Sequence, residues 1–142
     1  MTITPCLWFN GEAEDAAKLY TALFPRSSIG AVSRYGPGAP FPAGTALMVE
    51  FSLGGQRFQA LNGGPQFPHS EAISLSVACA DQAEVDHYWD GLLANGFVIN
   101  DSLLKAIGEN PLEKQPDAVI AFLAHFDHRE ALWQAYRRSL PA

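Results

Sequence analysis

Two segments of this chain carry the same helical spacing of apolar residues, and they lie 69 positions apart. The first, residues 12–24, has acidic residues in its first turn and ends at Pro25, as expected of an amphipathic helix. The second spans residues 81–95. The shift aligns two sets of apolar positions, Ala16, Tyr20, Leu23 and Phe24 with Val85, Trp89, Leu92 and Leu93. The chain is therefore predicted to contain two related strand-helix units.

Short apolar runs bounded by Gly, Pro or Asn predict strands around these helices. The predicted strands span residues 2–9, 29–35, 46–53, 56–62, 72–80 and 97–100. The pair at residues 46–53 and 56–62 is joined by Gly54-Gly55, which indicates a tight hairpin. Two further segments, residues 102–107 and 117–140, are predicted to be helices because each has one apolar stripe.

These elements predict an α+β fold of paired βαβββ-type modules, with a curved, mostly antiparallel sheet, a shortened second module and C-terminal helices. At 142 residues, 48% of them hydrophobic, the chain suits a single domain. We expect module one at residues 1–66, module two at residues 67–100 and a helical extension at residues 101–142.

The charge balance excludes some partners. The formal net charge is -6, from 9 basic and 15 acidic residues, so we expect no nucleic-acid or membrane partner. No apolar run approaches the roughly 18 to 20 residues of a membrane-spanning helix, and the first residues do not resemble a signal peptide. A cytoplasmic location follows as an expectation, with Cys6 and Cys79 reduced.

Side-chain alternation along the strands separates an aliphatic face from a mixed one. Trp8, Glu50 and Gln59 fall on the mixed face, whose apolar wall and few polar groups are typical of a ligand pocket. An ordinary solvated sheet face has the same pattern. The candidate ligand contacts are Trp8, Glu50, Gln59, Asn62 and Ser74.

Three stretches together resemble a known family: TPCLWFNGEAEDAAKLYTALFP, FQALNGGPQF and EAISLSVACADQAEVDHYWDGLLANG. They are similar to the PhnB-like (demethylubiquinone-methyltransferase-like) branch of the glyoxalase/bleomycin-resistance/dioxygenase superfamily, also called vicinal oxygen chelate. The resemblance covers residues 2–96. It implies paired βαβββ modules, a cleft formed by curved sheets, and usually a homodimer.

The resemblance also implies where metal ligands would lie, on the first and last strands of each module. Those positions fall near Thr4, at Gln59 and at Ala72, and only Gln59 carries a possible ligand atom. Relatives continue with two more strands after the second helix. This sequence is shorter in that region. We therefore expect no metal and no other cofactor. His125 and His128, spaced i, i+3, are the alternative candidate metal pair.

Three functional hypotheses follow. The first is metal-independent binding of a small molecule in a homodimer cleft. The second is an enzyme, either metal-dependent or using Glu50 as a buried general base. The third is a degenerate dimerisation module. Methyl transfer is not favoured, because no strand is followed by the glycine-rich loop and helix of an S-adenosylmethionine site.

Overall fold

The computed structural model describes residues 1–69, 73, 75–94, 98–99 and 119–123. The chain divides into two compact units, Met1–Pro68 and His69–Ala142, next to the expected module boundary. The fold is α+β, as predicted. In chain order the elements are β1 (Cys6–Phe9), α1 (Ala13–Leu23), β2 (Ser28–Arg34), β3 (Ala46–Leu53), β4 (Gln56–Asn62), β5 (Leu75–Ala78), α2 (Gln82–Ala94), β6 (Val98–Ile99) and β7 (Val119–Leu123).

The first unit contains a four-stranded mixed sheet in the order β1-β4-β3-β2. Strand β1 runs parallel to β4, whereas β4, β3 and β2 pair antiparallel. The predicted β3-β4 hairpin is confirmed. Its turn has φ of 54° at Gly54 and 89° at Gly55, a backbone conformation that glycine adopts without steric cost.

Helix α1 covers one face of this sheet through its small and aromatic residues. Tyr20, 1% exposed, stacks on Phe51 with ring centroids 6.0 Å apart, and Phe51 stacks in turn on Phe58 at 5.4 Å. Val49 and Ala60 are fully buried and are paired across β3 and β4. Each large apolar side chain in this core contributes roughly 1.5–3 kcal/mol by leaving water. The predicted aliphatic face is thus the face that packs on the helix.

The second unit repeats the opening of the first. A shift of 69 positions carries β1, Cys6–Phe9, onto β5, Leu75–Ala78, and carries the first residue of α1 onto the first of α2. Val85 and Leu92 of α2 are buried, as the repeat requires. The predicted strand-helix repeat is therefore confirmed. The sheet of this unit is antiparallel, in the order β5-β7-β6.

One predicted element is wrong. The sequence predicts a helix over residues 117–140, but Val119–Leu123 form strand β7, which pairs with both β5 and β6. The segment is a continuous apolar run with a β-branched pair at its start, which suits a central strand. Over five residues the apolar pattern does not separate a strand from a helix. The other residues of the predicted C-terminal helices lie outside the described part of the chain.

Both helices in the described part of the chain are short. Helix α1 has 11 residues and α2 has 13, so at 1.5 Å per residue both fall well below the roughly 30 Å of a bilayer core. Within the described residues, no helix has the length and apolar character that crossing a membrane requires.

Candidate functional site

The face of the first sheet turned away from α1 carries three of the predicted ligand contacts. The register across β1, β4 and β3 forms a polar row of Cys6, Gln59 and Glu50 and, beside it, an apolar row of Trp8, Leu61 and Met48. Trp8, Glu50 and Gln59 therefore lie on one surface, which we call the Trp8 face. Apart from the exposed Cys6, the side chains of both rows are half-buried.

Trp8 is held in a fixed orientation by the segment that follows β4. Its indole Nε1 donates a hydrogen bond to the Gly64 carbonyl oxygen at 2.8 Å. The ring also makes an edge contact with Phe67, with centroids 4.9 Å apart and planes 79° apart. Gly63 packs against the indole so closely that a Cβ there would overlap the ring. The two glycines of the ALNGGP motif thus position Trp8: Gly63 leaves room for the indole ring, and Gly64 accepts its hydrogen bond.

Glu50 and Gln59 are direct neighbours across β3 and β4. The Glu50 side chain is 41% exposed, and its Oε2 lies 3.9 Å from Nη2 of Arg57, which is 66% exposed. On the β2 side its neighbour is Gly30, in an irregular part of the β2-β3 pairing, and a Cβ there would lie 3.7 Å from that of Glu50. Position 30 therefore places no side chain beside Glu50. Glu50 lacks the burial that the general-base hypothesis assumes.

Asn62 lies on the opposite face and is committed to the fold. It is 0% exposed, and its Oδ1 accepts hydrogen bonds from the backbone N–H of Gly11 at 2.8 Å and of Ala13 at 3.1 Å. Its Nδ2 donates to the Ala46 carbonyl at 2.9 Å. The expectation that Asn62 joins Trp8 in the ligand site is therefore wrong. Alternation from Ala60 already places Asn62 on the helix side, and a lone amide there indicates a buried hydrogen-bonding role.

Three of the predicted site residues fall in parts of the chain that the structure does not describe. Ser74, His125 and His128 lie outside the described residues. Gln59 is on the Trp8 face. Within the part of the chain that the structure describes, no group of three or more His, Cys, Asp or Glu side chains is arranged to hold a metal ion. Metal independence remains a prediction.

Neither cysteine has the environment of a reactive thiolate. Cys6 is exposed and Cys79 buried, and neither forms a disulfide. Desolvation raises the pKa of the Cys6 thiol. Burial, together with the nearby carboxylates of Glu84 and Asp81, raises the pKa of Cys79 to about 11. Both groups therefore stay protonated at neutral pH, which argues against nucleophilic catalysis by either.

Sequence reasoning did not identify three residues that shape the Trp8 face: Gly30, Gly63 and Phe67. A single glycine within a predicted strand often indicates a bulge, and this signal is present at Gly30. The role of Gly63 could not be inferred, because paired glycines equally suit an ordinary turn. Phe67 follows the last strand of the unit, where strand alternation gives no orientation.

Comparison with known proteins gives a consistent result. The sequence model of the family described as 3-demethylubiquinone-9 3-methyltransferase matches residues 1–117. A solved structure from Bacillus cereus, described as a putative 3-demethylubiquinone-9 3-methyltransferase, PhnB protein, is 36% identical; the match covers 70% of this chain and 78% of that one, with a TM-score of 0.63. A Staphylococcus aureus protein is 33% identical over 70% of this chain and 74% of its own, with a TM-score of 0.37. No curated protein matches the chain.

Proposed function

The chain belongs to the 3-demethylubiquinone-9 3-methyltransferase family, with a PhnB protein among its similar structures, and from this premise we propose that it binds a small, partly apolar molecule on the Trp8 face. The observation that carries this proposal is the sheet register, which brings Trp8, Gln59 and Glu50 to one half-buried surface. The other face of the same sheet is filled by α1. A mostly apolar surface with a few convergent polar groups is the usual chemistry of a ligand site.

The first strand-helix turn supports binding over the methyl transfer in the family's description. Where a fold binds a nucleotide-type cofactor at such a turn, backbone N–H groups at the helix start point towards the ligand. Here the N–H groups of Gly11 and Ala13 already donate to the buried Asn62 side chain. This turn therefore does not fit S-adenosylmethionine. Addition of S-adenosylmethionine is expected to leave the melting temperature unchanged.

We place the family in the glyoxalase/bleomycin-resistance/dioxygenase superfamily as part of this proposal. The β-α-β-β-β order of the first unit, with its first strand parallel to its last, supports the assignment. The superfamily resemblance also suggests that the functional form is a homodimer. Light scattering on a size-exclusion column should give twice the 15.4 kDa chain mass. A monomer at micromolar concentration would contradict the proposed homodimer but not the proposed ligand binding on the Trp8 face.

A matched pair of substitutions on one strand tests the proposed site. Gln59 is on the Trp8 face, whereas Gln56, on the same strand, points the other way and is exposed. A metabolite screen in EDTA should find compounds that stabilise the wild type, by about 2.7 kcal/mol at a hundredfold excess over Kd. Gln59→Ala should reduce this stabilisation, and Gln56→Ala should not. A broad screen without a hit would contradict the proposal. So would hits whose stabilising effect is the same in the wild type and in both variants.

A further inference from the structure

The Trp8 face is divided into two chemically different strips. The apolar row of Trp8, Leu61 and Met48 runs across three strands beside the polar row of Cys6, Gln59 and Glu50. Positions in neighbouring rows are two residues apart, roughly 7 Å along a strand, so the backbones at Trp8 and Glu50 are on the order of 12 Å apart. A ligand that covers both residues therefore needs an apolar end and a polar end.

The apolar end of the site is aromatic. Trp8 has its only hydrogen-bond donor occupied by the Gly64 carbonyl, so the ring offers surface and not a polar group. Phe67 lies against it and is 64% exposed, so its ring is accessible to a ligand. Two aromatic rings at a fixed angle suit a flat apolar group that stacks on one and contacts the other.

The polar end of the site is anionic. Glu50 is the sole acidic residue in the four strands of the first sheet. Its contact with Arg57 is long, at 3.9 Å, and both side chains are partly exposed, so the pair contributes little and is readily replaced. Gly30, the neighbour of Glu50 towards β2, has no side chain that could cover the Glu50 carboxylate. A ligand that rests on Trp8 also meets the row of Glu50 before it reaches Arg57 near the hairpin turn.

Resting on the proposed function, we propose that the ligand of the Trp8 face is an aromatic cation. Its flat ring system packs on Trp8 and Phe67, and its ammonium or similar group binds the Glu50 carboxylate in place of Arg57. A charge-assisted hydrogen bond of this kind is about twice as strong as a neutral one. The net charge of -6 also favours the approach of a cation over that of an anion.

Three probes of matched shape test this inference on the full chain by isothermal titration calorimetry. They are 2-(2-naphthyl)ethylammonium, 2-(2-naphthyl)ethanol and 3-(2-naphthyl)propionate, which are cationic, neutral and anionic. The ammonium is expected to bind about tenfold more tightly than the alcohol, and the propionate more weakly than either. Glu50→Gln should abolish the difference between ammonium and alcohol. Asp15→Asn, a substitution on α1 away from the Trp8 face, controls for loss of net charge and should leave the difference in place.

Two further variants sharpen the test. Arg57→Gln removes the competitor of the ligand for Glu50, so ammonium binding should strengthen by a factor of about two to five. Gly30→Val places a side chain beside Glu50 without a steric clash, since a Cβ at this position would meet nothing closer than 3.5 Å, and Gly30 is not among the glycines with positive φ. It should weaken binding of the ammonium more than binding of the alcohol. Thermal unfolding checks that each variant is folded.

The outcomes separate this inference from the proposed function. Equal binding of ammonium and alcohol, sensitive to Gln59→Ala, would overturn the cationic ligand and leave the Trp8 face as a binding site. Preference for the propionate would do the same and assign the polar end to Arg57. An ammonium preference that Asp15→Asn reduces as much as Glu50→Gln would also overturn the inference, because the attraction would then be general. If no probe binds, the cationic ligand fails, while the metabolite screen still decides the proposed function.

Discussion

Helices α1 and α2 begin in different ways, although each follows a four-residue strand. At α1, Glu12 makes no side-chain cap, and the N–H groups of Gly11 and Ala13 are instead satisfied by Asn62, 51 and 49 residues away. At α2 the cap is local. The N–H of Glu84 donates to Asp81 Oδ1 at 2.9 Å, and the Glu84 carboxylate accepts the N–H of Ala80 at 2.7 Å. One repeated motif is thus completed by a distant strand in the first unit and by its own sequence in the second.

The strand beside β1 and the strand beside β5 differ in direction, and this changes which residue lies at the start of the helix. In the first unit three strands follow the helix, so the last one, β4, runs parallel to β1 and its C-terminal end reaches the start of α1. In the second unit the neighbour of β5 is β7, which runs antiparallel. The C-terminal end of β7 therefore lies at the other end of the sheet from the start of α2. The residue of β7 at the start of α2 is instead its first, Val119, which pairs with Ala78 as Asn62 pairs with Phe9. Valine has no side-chain hydrogen-bonding group, so it cannot act as Asn62 does, and a local cap replaces it.

The largest expected effect comes from removing the distant cap. Asn62→Ala leaves two N–H groups and the Ala46 carbonyl without their partner in the core, so we expect a loss of roughly 3 kcal/mol or more in the free energy of unfolding. Hydrogen exchange should show lost protection of the Gly11 and Ala13 amides. Asn10→Ala, exposed in the same turn, is the control and should change stability by less than about 0.5 kcal/mol. Equal effects would break the comparison.

Removing the local cap should have a smaller effect. Asp81→Ala deletes one side-chain cap at an exposed helix start, which typically costs about 1 kcal/mol. The Glu84 amide should exchange faster, while the Gly11 and Ala13 amides keep their protection. Asp90→Ala, exposed later in α2, is the matched control. If Asp81→Ala destabilised the protein as much as Asn62→Ala, the distant cap would not contribute more to the free energy of unfolding than the local one, contrary to this prediction.

The smallest effect is expected from an ion pair that ties α1 to the edge strand β2. Arg34 donates to Glu14 through its two terminal guanidinium nitrogens, Nη1 at 2.8 Å and Nη2 at 3.0 Å, and together with Lys18 it lowers the pKa of Glu14 from 4.5 to about 2. Because the pKa is lower in the folded state, this contribution is present above pH 4.5 and is lost as the pH falls towards 2. The melting temperatures of wild type and Glu14→Gln should therefore differ slightly at pH 6 and converge near pH 2. A constant gap would contradict the assignment.

The regular parts of the first unit were predictable from the sequence for identifiable reasons. The hairpin followed from Gly54-Gly55 between alternating strands, and α1 from its apolar spacing. The same alternation placed Trp8, Glu50 and Gln59 on one face. Their role in binding remains a proposal.

The errors have a common physical cause. The sequence groups Asn62 with the ligand contacts because its partners, the amides of Gly11 and Ala13, are distant in sequence and become neighbours only through the parallel β1-β4 pairing. The apolar run of β7 is compatible with a helix when it is considered alone. It becomes a strand because β5 and β6 pair with it on either side. A local sequence pattern describes one segment. The role of Asn62 and the conformation of β7 depend instead on which other segment packs against them in the fold.

The parallel pairing of β1 and β4 also constrains how the chain folds during synthesis. The ribosome releases the N-terminus first, so Cys6–Phe9 emerge long before Gln56–Asn62, the strand with which they pair. Until then β1 has no strand to pair with, and the N–H groups of Gly11 and Ala13 lack the Asn62 side chain that accepts their hydrogen bonds. The N-terminal unit must therefore close as a whole, after its last strand has left the exit tunnel, instead of growing element by element.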